Sequence, residues 1–176
     1  SMYQVIGAPV INHRVAKSNN MLTIDKGSGD GLNPGMGVIS TKGLVGIVTD
    51  VSPHFALVMS LLHSKSRTSC QLTRSGFFGT LVWNGQDPAQ LQLEDVQRYA
   101  GVRIGDSVTT CGYSIVFPKD ILVGKVSGYH VEEGSFTYSI QVEPSQDFFS
   151  LSRVFVINHR LKEEKSELEK KSARYE

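Results

Sequence analysis

The chain has 176 residues, 40% hydrophobic and 20% charged, with 18 Lys and Arg against 17 Asp and Glu. This length gives one large domain or two small ones, and a core that needs no disulfide or metal. A net charge of +1 argues against the clustered basic face of a nucleic-acid binder, and no apolar run approaches the ~20 residues that span a bilayer.

Ser1-Met2 reads as an expression remnant, with native sequence expected upstream. Val5-Ile6 and Val10-Ile11 then flank Gly7 and Pro9, and Met21 to Asp25 reads as a short strand. From Asp25 to Val51 glycines recur at 27, 29, 31, 35, 37, 43 and 46. No helix survives that density, since each interior glycine costs roughly 1 kcal/mol relative to alanine. Bent strands and tight turns do. Val38-Ile39 leads into a turn at Lys42-Gly43, and Leu44 to Val51 forms a strand with a glycine inside it.

That strand has a copy. Leu44-Val45-Gly46-Ile47-Val48 recurs 78 residues later as Leu122-Val123-Gly124-Lys125-Val126. Gly35-Met36-Gly37-Val38 precedes the first copy and Gly105-Asp106-Ser107-Val108 the second. Alternation puts Leu44, Gly46 and Val48 on one face, and Leu122, Gly124 and Val126 likewise. Lys125 and Ser127 on the opposite face of the second copy set that face toward water. The glycine is then expected to point inward, where a strand coils to close a small barrel.

Phe55 to Leu62 is apolar on both faces and is expected to be buried near a contact between two units. Thr68–Thr73 and Phe77–Trp83 predict a hairpin about Ser75-Gly76, and Asn84-Gly85 marks a further turn. Leu91 and Leu93 alternate with polar residues, followed by strands at Val108–Cys111 and Ile121–Val131. Tyr138, Ile140 and Val142 alternate with Ser139, Gln141 and Glu143, and Ser152–Ile157 closes the series. The last segment, LKEEKSELEKKSARYE, offers only Leu161, Leu168 and Tyr175 at seven-residue spacing, which predicts a charged tail, helical or disordered, more than a coiled-coil seam. The whole is therefore all-β, two small tandem antiparallel barrels. Residues 1–65 form the first and 66–157 the second, with the C-terminal strand free to pair with the first, and 158–176 is the tail.

Candidate chemistry is sparse. Two barrels and a Gly105-Asp106-Ser107 resemble trypsin-like proteases, but Val108-Thr109 replaces the glycines whose N–H groups build an oxyanion hole, so Ser107 reads as a turn residue. His13, His54, His63, His130 and His159 show no metal-ligand spacing, and Glu132-Glu133 reads as a hairpin tip. Asp25 and Asp30 lack the acidic spacing of a calcium loop, and Gly27, Gly29 and Gly31 lack the GK[ST] of a phosphate loop. Cys70 and Cys111 match no zinc or redox motif and read as two buried thiols, with a disulfide as the alternative. No catalytic, metal or cofactor residue is assigned. Among many aromatics, Trp83, Tyr113 and Phe117 border turns and are the candidates for a partner-binding patch.

Three blocks carry a resemblance: IDKGSGDGLNPGMGVISTKGLVGIVTDVS, GDSVTTCGYSIVFPKDILVGKV and the closing LSRVFVI. In order and spacing they resemble the periplasmic region of the bacterial rod-shape-determining MreC family, from about Ala8 to Asn158. Cys111 departs from the pattern, where serine is commoner. The resemblance implies a non-enzymatic scaffold of the cell-elongation machinery that organises peptidoglycan synthesis and cell shape. It implies two barrels at the periplasmic face of the inner membrane, preceded by a coiled coil and a single membrane-spanning helix. The implied partners are MreD, a penicillin-binding transpeptidase, MreB through the membrane complex, and further copies of itself. From the residues alone, a degenerate double-barrel serine hydrolase and a glycan- or ligand-binding β module remain the alternatives.

Overall fold

The computed structural model describes residues 2–176. Twelve strands form two closed six-stranded antiparallel barrels. The first contains β1 (Tyr3–Arg14), β2 (Asn19–Ile24), β3 (Gly37–Ser40), β4 (Gly43–Val51) and β5 (Ala56–His63). The second contains β6 (Thr68–Leu72), β7 (Phe78–Val82), β8 (Leu91–Gln97), β9 (Ser107–Thr110), β10 (Leu122–Val131) and β11 (Thr137–Pro144). The chain then returns, and β12 (Arg153–His159) closes the first barrel between β1 and β3. A short helix, α1 (Lys162–Lys170), follows with no buried residue, because its side chains are charged nearly all round.

The repeated strands bend in the same way, although not as simple alternation predicts. In the β3–β4 ladder Val38 pairs with Gly46 and Ile39 with Leu44, leaving Val45 as the extra residue of a bulge. In the β9–β10 ladder Val108 pairs with Gly124 and Thr109 with Leu122, leaving Val123 extra. A bulge resets the period of two. Val45 and Val48 therefore both enter the first core, while Leu44 turns the other way, into the contact between barrels. Val123 and Val126 are buried likewise, and Leu122 is left half exposed. The common face expected for Leu44, Gly46 and Val48 is thus broken.

The glycine itself serves close approach. A Cβ on Gly46 would overlap the Met59 carbonyl of β5, and one on Gly124 would overlap the Glu143 carbonyl of β11. The missing side chain lets the neighbouring strand's backbone occupy its space, which is what tightens each barrel.

The first core is built on Leu22, Ile24, Leu32, Val38, Val48, Val58 and Val156. The second core, with Leu72, Leu81, Leu93, Val108 and Ile140, is continuous with Leu44, Leu61, Leu62 and Ile157 of the first barrel. The two barrels therefore share an apolar seam. Phe117 packs into it over Gly37, where any Cβ would strike the ring. Gln146 donates from Nε2 to the Leu44 carbonyl at 2.7 Å and accepts from Ser40 Oγ at 2.6 Å. Ser145 Oγ donates to the Lys42 carbonyl.

Only the end of β5 meets the seam. Leu61 and Leu62 are buried there, but Phe55 and Leu57 are exposed on the outer wall, which corrects the expectation of a strand covered on both sides. A barrel wall has one inner face, and the seam reaches only one end of it.

Candidate interaction surface

Antiparallel order fixes which loops of the second barrel share an end. The crossovers 64–67 and 145–152 and the loop 111–121 lie at the end that meets the first barrel. The β6–β7 turn, the β8–β9 connection and the β10–β11 turn therefore converge at the far end. That distal end carries large apolar side chains in water. Tyr99 is 75% exposed, Phe136 84% and Ile104 63%. Tyr99 stands edge-on to Phe77 with ring centroids 5.3 Å apart. Burying such groups against a partner is favourable at roughly 25 cal/mol per Å² of apolar surface.

The distal loops are braced. Arg74 in the β6–β7 turn donates from Nε and Nη2 to the two carboxylate oxygens of Asp106, at 3.0 and 2.9 Å, and from Nη2 to the Gly101 carbonyl. Asp106 also accepts from the Arg103 N–H. The Arg74 bond, more than any other group, holds the Asp106 carboxyl below the usual carboxylate range. A bidentate pair of this kind fixes orientation as well as distance. Asp106, part of the protease-like Gly105-Asp106-Ser107, is thus the clamp that joins two distal loops.

The three aromatic candidates separate. Tyr113 is 73% exposed and lies edge-on to the exposed Phe78, centroids 5.0 Å apart, on the flank of the same barrel. Trp83 and Phe117 are each 5% exposed. Trp83 turns inward and donates Nε1–H to the Asp87 carbonyl, closing its own turn. Phe117 is the plug of the seam. Bordering a turn did not expose them, because both turns fold onto the barrel contact. Tyr99, Ile104 and Phe136 were missed. Tyr99 and Ile104 share one connection, but Phe136 is distant from them in sequence and only topology brings it to the same end, although its place two residues past the glycine of a charged hairpin tip carried a readable signal.

No histidine hydrogen-bonds a serine hydroxyl among the described residues. His13 Nε2 bonds the Leu151 carbonyl, His63 Nδ1 accepts from the Lys65 N–H, and His130 bonds Glu132 and Gln141. His159 Nδ1 accepts from the Leu161 N–H, and His54 stands near the Phe55 ring. Ser107 lies at the start of β9, opposite Lys125. No group of three His, Cys, Asp or Glu side chains could hold a metal among the described residues. Asp30 turns back to cap the Gly27 N–H at 3.0 Å. Cys70 and Cys111 are buried and not joined in a disulfide, Cys111 Sγ donates to the Ser69 carbonyl at 3.4 Å, and burial pushes the Cys70 thiol far up.

Comparison with known proteins decides the family. The barrel-core model of the rod shape-determining protein MreC matches residues 10–158. This chain belongs to the MreC family. The cell shape-determining MreC of Listeria monocytogenes is 28% identical over 158 residues, covering 88% of this chain and 54% of that protein. The solved Listeria MreC superposes with a TM-score of 0.83 at 27% identity, over 90% of this chain and 77% of that one. A Helicobacter pylori MreC solved in complex with the penicillin-binding protein PBP2 shares the fold, with a TM-score of 0.71 at 15% identity over 90% of this chain and 99% of that one. The chain spans about half the length of the Listeria relative, so what it holds of an MreC is the double barrel.

Proposed function

We propose that this chain is the partner-docking part of a non-enzymatic scaffold in the bacterial cell-elongation machinery, held at the periplasmic face of the inner membrane. Membership of the MreC family supports the cell-shape role. A penicillin-binding transpeptidase is the partner to which the Helicobacter complex points. MreD, MreB through the membrane complex, and further copies of the chain complete the assembly.

The observation that carries the reading is the distal end of the second barrel. Two loops, the β8–β9 connection and the β10–β11 turn, present Tyr99, Ile104 and Phe136 to water, and Arg74 of the β6–β7 turn braces the first of them through Asp106. Exposed aromatics on a rigid platform are the make-up of a binding hot spot. Among the described residues no histidine hydrogen-bonds a serine hydroxyl, and Ser139, which stands across the ladder from His130, donates to Glu94 instead, so scaffold is favoured over hydrolase. The test is a photo-crosslinking amino acid placed at Tyr99, at Phe136 or, as control, at Tyr175 of the tail, in cells of the source organism. The first two are expected to trap a penicillin-binding transpeptidase and the third is not. Equal trapping at all three sites, or none at any, refutes the assignment.

A further inference from the structure

On one side the seam between the barrels opens into a cleft of about 340 Å³. The volume is that of a small-ligand site, and domain contacts are where such sites occur. Its charge is one-sided. Lys65 and Arg67, from the crossover 64–67, line it, and no carboxylate does among the described residues. Arg67 Nη1 is anchored to the carbonyls of Ser64 and Ser66, which holds the guanidinium at the cleft, while its other nitrogens meet no acceptor among the described residues. Lys65 forms no ion pair among the described residues. Its charge is felt by the neighbouring His63, whose imidazole is held below its ordinary value by burial first and by Lys65 second.

The remaining lining divides into two kinds. Thr68 and Ser114 add hydroxyl donors beside the cations. Ile47, Met59 and Val116, all half buried, give an apolar surface next to them. An inorganic anion would use the first set and leave the second in water. A neutral apolar group would leave two cations without counter-charge. We propose that this cleft binds a peptide carboxylate borne on an apolar residue, the anion held by Lys65 and Arg67 and the side chain laid on Ile47, Met59 and Val116.

The test is an NMR titration of the double barrel, reading the Met59 methyl and the Thr68 and Ser114 amides. N-acetyl-leucine is expected to shift all three saturably. N-acetyl-leucinamide, which lacks the charge, and inorganic phosphate, which lacks the apolar body, are each expected to bind roughly tenfold more weakly, the loss of one charge-assisted contact or its apolar equivalent. Lys65→Ala with Arg67→Ala is expected to abolish the N-acetyl-leucine shifts, and Lys65→Arg to keep them. Equal binding of the amide overturns the carboxylate site, equal binding of phosphate overturns the apolar half, and no saturable shift overturns both. The ligand series on the unaltered protein decides even if the double variant folds poorly.

Discussion

Adding one methyl group at Gly46 should open the first barrel. The Cβ of Gly46→Ala would overlap the Met59 carbonyl of β5, with Ser60 Cα close behind. The obstacle is backbone in a buried ladder, so no rotamer change relieves it and β4 and β5 must part. Overpacking a core costs typically about 1–3 kcal/mol, and a collision between two main chains belongs at the upper end. The unfolded chain loses freedom when glycine becomes alanine, which offsets about 0.4–1 kcal/mol. The net is about 2 kcal/mol, and at this chain length each kcal/mol moves Tm by about 2–4 °C, so Tm should fall by about 4–8 °C. Gly76→Ala is the control. Gly76 has φ +77° with open space around it, so alanine there meets only the left-handed backbone penalty of about 1–2 kcal/mol, less the same offset. Thermal unfolding of both variants, followed by circular dichroism, settles the matter. If Gly46→Ala is no less stable than Gly76→Ala, the close approach of β4 and β5 does not hold the barrel closed. Gly124→Ala should match Gly46→Ala, because it faces the equivalent carbonyl in the second barrel.

Gln146→Ala should cost about 2 kcal/mol, because it leaves the buried Leu44 carbonyl and Ser40 without their partner across the seam. Chemical denaturation measures the loss, and hydrogen exchange at the Leu44 and Leu62 amides should rise with it. His63 is held below its ordinary imidazole value, so the unfolded chain takes up the proton first and the folded form loses stability as pH falls through about 6.5. Between pH 7.5 and 5.5 the unaltered protein should therefore lose more Tm than His63→Asn does. Asp106, held low chiefly by Arg74, contributes stability above about pH 4 that is lost on further acidification, and Asp106→Asn should remove that part of the acid transition. Both thiols should be inert to Ellman's reagent in the folded protein and titrate as two after unfolding without reductant.

The strands were legible because a barrel wall writes its pattern locally. Ile140 and Val142 are fully buried with Gln141 half buried between them and Glu143 exposed beyond, as alternation requires, and the 78-residue repeat marks two strands with the same bulge. The bulge itself was not legible. Val45 and Val123 are ordinary strand residues, and only the partner strand's register makes them the extra ones. Aromatic burial was hidden for a related reason. Phe117 and Tyr113 lie four residues apart in one loop, yet one fills the space over Gly37 and the other faces water. A loop's neighbours in space are set by barrel closure, which no local window contains. The distal surface is the extreme case, with residues 99 and 104 of one connection brought beside residue 136 of another turn.

The most direct measurement is calorimetric titration of this double barrel with the soluble periplasmic region of the penicillin-binding transpeptidase from the same cell. Saturable binding near the micromolar range, about −8 kcal/mol, is expected, weakened at least about tenfold in the Tyr99→Ser, Phe136→Ser variant and unchanged in Tyr175→Ser. Binding that ignores the paired distal substitutions, or no binding by the intact barrels, would contradict the docking role.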